Sequence, residues 1–152
     1  MSGKLSKQIL TERAMLACLV EECRPLLARA SQGQTPSYVD LSALGAILHS
    51  FYGGVENIFK RISQEFDAES LAGKSWHRDL LDLMAARTAR RPAVISSLLQ
   101  ERLDDYMRFR HRFRHAYAFQ LNWNEMSPLV MGCEETLRQV EGELETFLKG
   151  LP

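Results

Sequence analysis

Residues 106–117 read Tyr-Met-Arg-Phe-Arg-His-Arg-Phe-Arg-His-Ala-Tyr, with four arginines, two histidines and no acid in twelve positions. No glutamate stands four residues from any of these arginines. The chain as a whole is neutral, with 19 Lys plus Arg against 19 Asp plus Glu. Any attraction to a polyanion therefore has to come from this one cluster. Guanidinium groups offer a planar fork of donors that fits phosphate oxygens. Imidazole titrates near neutral pH and serves there as base or acid. Together they suit the cutting of RNA, which needs a base for the 2′-hydroxyl proton and a cation to steady the phosphorane. Neighbouring guanidinium groups disfavour a charged imidazole, which keeps it available as a base.

His111 and His115 stand four residues apart, a spacing that can hold zinc. A metal needs at least a third ligand, none is suggested nearby, and the arginines repel a cation, so neither metal nor cofactor is expected. Arg110 and His115 are five apart, about 140° round an ideal helix. One regular helix cannot aim both at one phosphate. Either the helix breaks between them, or an arginine and a histidine from two chains meet across a two-fold axis. The plainer reading is an amphipathic helix with a solvated basic face. Leu103, Tyr106, Phe109, Phe113 and Ala116 would form its apolar side, with Arg108, His111, Arg112 and His115 facing elsewhere. The alternation also fits a strand, but such a strand would have no hairpin partner.

The elements that carry this segment read as helices. Apolar residues at helical spacing predict a first helix over Leu5–Ala30, with room for a bend before Pro25. A loop over Gln32–Tyr38 precedes a long second helix from about Val39 to Phe66. Asp67–Ser75 is a polar link, and Ser75 is placed to cap a short helix from Trp76 to about Ala86. Thr88–Pro92 breaks the pattern, and Pro92 suits the first turn of a fourth helix running through Phe109. Asn122-Trp-Asn-Glu125 has capping-box spacing and opens a last helix that ends near Gly150. Five helices with short links predict an all-α antiparallel bundle, a single domain over residues 1–152. Gly53-Gly54, inside the second helix, marks a close approach by a neighbouring helix, a second chain or a ligand.

Composition agrees with a globular chain: 45% of the 152 residues are hydrophobic and 25% charged. Cys18, Cys23 and Cys133 form no CxxC pair and read as reduced thiols. The apolar run Ala14–Val20 is too short to span a bilayer and lacks a signal-peptide cleavage pattern. A cytoplasmic protein with no membrane partner is expected. His49 and Tyr52 read as core residues, Trp76 and Trp123 as packing anchors, and His77 is assigned no chemistry.

Arg110-His-Arg-Phe-Arg-His115-Ala-Tyr117 fits Arg-x4-His-x-Tyr and resembles the signature of HepT-type ribonuclease toxins of the HEPN superfamily. Leu48–Arg61, Ser75–Leu81 and Leu121–Met126 resemble other segments of that family. The resemblance implies a five-helix HEPN domain, working as a homodimer, with Arg110 and His115 catalytic in a cleft at the dimer interface. It implies metal-independent endoribonuclease activity and a place as the toxin of a type VII toxin–antitoxin system. The implied partner is an MNT-type nucleotidyltransferase antitoxin, which transfers AMP to Tyr117 and silences the toxin. Arg108, Arg112 and Arg114 would bind RNA, either tRNA or mRNA. His111, next to the motif arginine, is either an auxiliary to the chemistry or a packing or solvent residue. Arg110→Ala and His115→Ala are expected to remove cleavage without harming helicity. Two other readings stand: a non-catalytic subunit that binds a nucleotidyltransferase or presents its substrate, and an RNA-binding module using the arginines alone.

Overall fold

The computed structural model describes residues 3–68 and 71–151. Five α-helices follow in order: α1 (Gly3–Ala30), α2 (Tyr38–Phe66), α3 (Trp76–Ala85), α4 (Ser97–Phe113) and α5 (Trp123–Lys149). A single 3-10 turn, Ala118–Gln120, lies between α4 and α5. No strand forms among the described residues beyond an isolated bridge between Thr88 and Arg91. The all-α expectation holds. Glu69 and Ser70, within the expected polar link, lie outside the described residues, as do Met1, Ser2 and Pro152.

The second helix is apolar over so much of its surface because it is the central element. Leu44, Leu48, Phe51, Val55, Ile58, Phe59 and Ile62 recur at three and four, and each is at most 1% exposed. Full burial of such a side chain stabilises the fold by about 1.5–3 kcal/mol. α2 packs against all four other helices and the 3-10 turn. Ser37 starts it, its hydroxyl accepting from the Asp40 N–H at 3.2 Å. No helix among the described residues is long and apolar enough to cross a membrane.

Pro92 is a correction. It lies in the α3–α4 link, and α4 begins only at Ser97. Ser96 supplies the cap, accepting from the Leu99 N–H at 3.1 Å, while its own hydroxyl donates to Glu143 at 3.1 Å. The link is held instead by buried Arg91, which donates to Asp67 Oδ1 at 3.0 Å and to the carbonyls of Leu83, Ala86 and Pro92. The carbonyls left open at the end of α3 are thereby satisfied by a side chain. The capping box at α5 is also only half made: Asn122 Oδ1 accepts from the Asn124 N–H at 2.8 Å, with no return bond from Glu125. Ser75 marks the start of α3 but donates to the Asp79 carboxylate at 3.2 Å instead of capping the backbone.

Candidate active site

The core stripe of α4 runs through Leu99, Leu103, Tyr106 and Met107, and the next position on it is Arg110. Arg110 is accordingly buried, and a buried guanidinium requires a partner. Glu56 provides it by the same logic, standing in the apolar stripe of α2 between Tyr52 and Phe59. Arg110 Nη2 donates to Glu56 Oε1 at 3.0 Å and Oε2 at 3.1 Å. The guanidinium carbon stands 4.9 Å from the centre of the Tyr52 ring, a cation–π contact. Burial and the charge on Glu56 push the Tyr52 phenol well above its ordinary pKa, so it stays neutral. The first turn of α3 adds His77, whose Nδ1 lies 2.7 Å from Glu56 Oε2 and 2.9 Å from Arg110 Nη2. Trp76 covers the His77 ring at 3.6 Å between centroids, and Lys60 Nζ sits 4.6 Å from the Trp76 ring. Three helices thus meet at one carboxylate.

Beside this cluster lies a groove of about 450 Å³ lined by Lys74, Arg78, Arg108, Arg110, Arg112 and Arg114, together with His77 and His111. No acid lines it. Arg110 and Arg114 also border a second hollow of about 550 Å³ with His49, Gly53 and Lys60. Only Nη2 of Arg110 is engaged: its Nη1 and Nε make no hydrogen bond to any described residue. A guanidinium anchored through one nitrogen, with its other donors unspent and two hollows beside it, is suited to a phosphate.

The remaining sequence-predicted residues divide. α4 stops at Phe113, where the Arg114 N–H bonds the Arg110 carbonyl and the His115 N–H bonds the Arg112 carbonyl at 3.1 Å. The helix therefore breaks between Arg110 and His115. The break does not join them within one chain: His115 is exposed, is not among the groove's lining residues, and touches His111 with ring centroids 5.4 Å apart. Tyr117 lies beyond the break and is 70% exposed, its ring parallel to Phe119 at 5.5 Å. Arg112 and Arg114 have no ion-pair partner among the described residues. Arg108 does, pairing with Asp104 at 3.2 Å and Asp105 at 2.9 Å. Asp104, an aspartate at four-residue spacing, weakens the basic field at Arg108.

Two members of the cluster carry no assignment from sequence. Glu56 and His77 are 21 residues apart, and although each lies in a segment that resembles the family, Leu48–Arg61 and Ser75–Leu81, neither is part of Arg-x4-His-x-Tyr. The available signal was a charged residue on each of two apolar stripes, Glu56 on α2 and Arg110 on α4. Such positions call for each other. The effect of guanidinium on imidazole is visible at His49, where burial first, then Arg110 and Arg114, lower the pKa. Among the described residues no group of three His, Cys, Asp or Glu is arranged to hold a metal ion.

No curated protein and no solved structure gives a significant match to this chain. A family model described as HepT-like protein does match, over residues 43–151, from within α2 to the end of α5. That span contains Glu56, His77, the whole groove and Arg110 to Tyr117. The chain belongs to the HepT-like protein family.

Proposed function

We propose that this protein is the toxin of a toxin–antitoxin pair and acts as an endoribonuclease that needs no metal. The observation that carries this is the acid-free groove, with Arg110 in its wall anchored by Glu56 and its Nη1 and Nε unspent. In a molecule of zero net charge, that groove is where a polyanion binds. Arg110 would donate to the non-bridging oxygens of the scissile phosphate as charge grows on them. A fixed donor of this kind contributes about 10²–10³ in rate. His115 would move a proton between the reacting oxygens. Arg112, Arg114 and the paired Arg108 would hold the flanking phosphates, and His111 would steady the ring of His115. RNA is the substrate class, tRNA or mRNA. The active form would be a homodimer, in which the 108–117 segments of two chains, with the exposed turn after α4, approach each other and complete the cleft around His115.

The partner in this reading is an MNT-type nucleotidyltransferase that transfers AMP to Tyr117. The phenol is exposed and lies just past the helix break, where an enzyme can reach it. The added phosphodiester would bring a negative charge beside Arg112 and Arg114, which lack ion-pair partners among the described residues, and so compete with RNA. Incubation with ATP, magnesium and the nucleotidyltransferase encoded next to it should add AMP masses that map to Tyr117. Tyr117→Phe should escape both modification and silencing. A modified peptide that excludes Tyr117 would remove this regulation from the account.

A further inference from the structure

The motif accounts for Arg110, His115 and Tyr117 and leaves His77 unexplained. His77 lies on α3, outside the basic run, yet its ring is part of the groove wall. Its Nδ1 is 2.7 Å from Glu56 Oε2 and 2.9 Å from Arg110 Nη2. The carboxylate only accepts and the guanidinium only donates, so one of the two contacts fixes the tautomer. The carboxylate contact is shorter and charge-assisted when Nδ1 carries the proton. A bare Nδ1 would set a lone pair against the carboxylate at 2.7 Å. We assign the proton to Nδ1 on that ground, which makes the 2.9 Å approach to Arg110 Nη2 a contact between two donors and puts the lone pair of the neutral ring on Nε2. That nitrogen makes no hydrogen bond to any described residue. The side chain is one-quarter exposed, at 25%, while its carboxylate partner is nearly sealed at 4%. A carboxylate that orients an imidazole through Nδ1 and leaves Nε2 to substrate is an arrangement for general-base work.

We propose that His77 is a proton-transfer residue of the groove: its Nε2 takes the proton of the attacking RNA 2′-hydroxyl. The 2′-oxygen then bonds to phosphorus, and the bond from phosphorus to the 5′-oxygen breaks. The 5′-oxygen leaves with a proton supplied by His115, giving a 2′,3′-cyclic phosphate and a 5′-hydroxyl end. Protons balance when His77 returns its proton to solvent and His115 regains one. Glu56 has a double part, holding the base by its imidazole and Arg110 by its guanidinium, so both groups keep a fixed relation to one phosphate. The proposal rests on the ribonuclease reading and adds to it a second imidazole, from a different helix.

The charged groups that bear on His77 come from three sides. They are Glu56 and, across the Trp76 ring, Lys60 on α2; Arg108, Arg110 and His111 on α4; and Lys74 and Arg78 on its own segment. Asparagine at position 77 keeps an amide N–H near the place of Nδ1 and cannot act as a base. The test measures single-turnover cleavage of bulk tRNA and of a transcribed mRNA from pH 5 to 9, with wild type, His77→Asn and His77→Gln. Filter binding and thermal melting are followed alongside. Both variants should lose about 10²–10⁴ in rate, bind RNA within about threefold of wild type and keep the wild-type melting midpoint. The wild-type rate should pass through a maximum, since the base works deprotonated and His115 works protonated, whereas the residual rate of the variants should climb about tenfold per pH unit and then level without falling, as hydroxide replaces the missing base. Variant rates within about threefold of wild type overturn the proposal. So does a lowered rate with the wild-type pH profile, which would make His77 a prop for Arg110 alone. A wild-type protein that cuts neither RNA at any pH fails the ribonuclease reading itself, before any variant is compared.

Discussion

Arg110 is asked to do two things that usually belong to different residues. It neutralises a buried carboxylate, and it stands in the wall of the groove with donors unspent. The sequence-based expectation that Arg110→Ala spares the fold therefore changes. Removing the guanidinium strands Glu56, which is only 3% exposed, without its cation. Breaking a buried pair from one side costs about 3–5 kcal/mol. Urea unfolding of Arg110→Ala should show a loss of that order, whereas His115→Ala, at an exposed position, should unfold like wild type. Replacing both partners, as in Glu56→Leu with Arg110→Met, should recover much of the stability and none of the activity. An Arg110→Ala protein as stable as wild type would mean that the ion pair is not formed as described. Loss of activity in that variant is thus interpretable only at temperatures where it remains folded.

At the scale of the elements, the site exists because three helices bring one polar side chain each to a common point, and α4 ends just past it. Gly53 and Gly54 show how closely α2 is engaged on two sides. A Cβ at Gly54 would meet the buried Leu16 side chain of α1 at 2.5 Å, whereas one at Gly53 would meet only Arg110 Nη1, at 3.9 Å. Gly54→Ala should therefore lose about 1–3 kcal/mol through overpacking, offset in part by about 1 kcal/mol of helix propensity. Gly53→Ala should stabilise by up to about 1 kcal/mol through helix propensity. Equal effects in chemical unfolding would contradict this division. Of the three neighbours that the sequence allows for this pair, Gly54 has a helix, and Gly53 opens toward the groove arginine. The helices themselves were legible because apolar residues repeat at three and four over long stretches. The start of α4 was not, since Pro92 is a legitimate first-turn residue and only tertiary bonds from Arg91 place it in the link. His77 was not legible either: its role depends on Glu56, on another helix, and no local spacing reports that.

For the whole molecule, zero net charge leaves the basic groove as the face that would meet RNA in the proposed reading. His115 and Tyr117 stand outside that groove in a single chain, on the exposed turn after α4. A homodimer that joins these turns would bring His115 to the cleft. Light scattering at micromolar concentration should give twice the 17.3 kDa chain mass, and a monomer throughout that range would count heavily against a shared cleft. The most direct test of the account is cleavage itself. Wild type and His115→Ala, both verified as folded, are incubated with end-labelled tRNA and mRNA in excess EDTA, and the products are resolved on a sequencing gel. The account predicts discrete cuts by the wild type, undiminished by EDTA, and none above background with His115→Ala. Equal cutting by the two proteins, or cutting that EDTA abolishes, would contradict it.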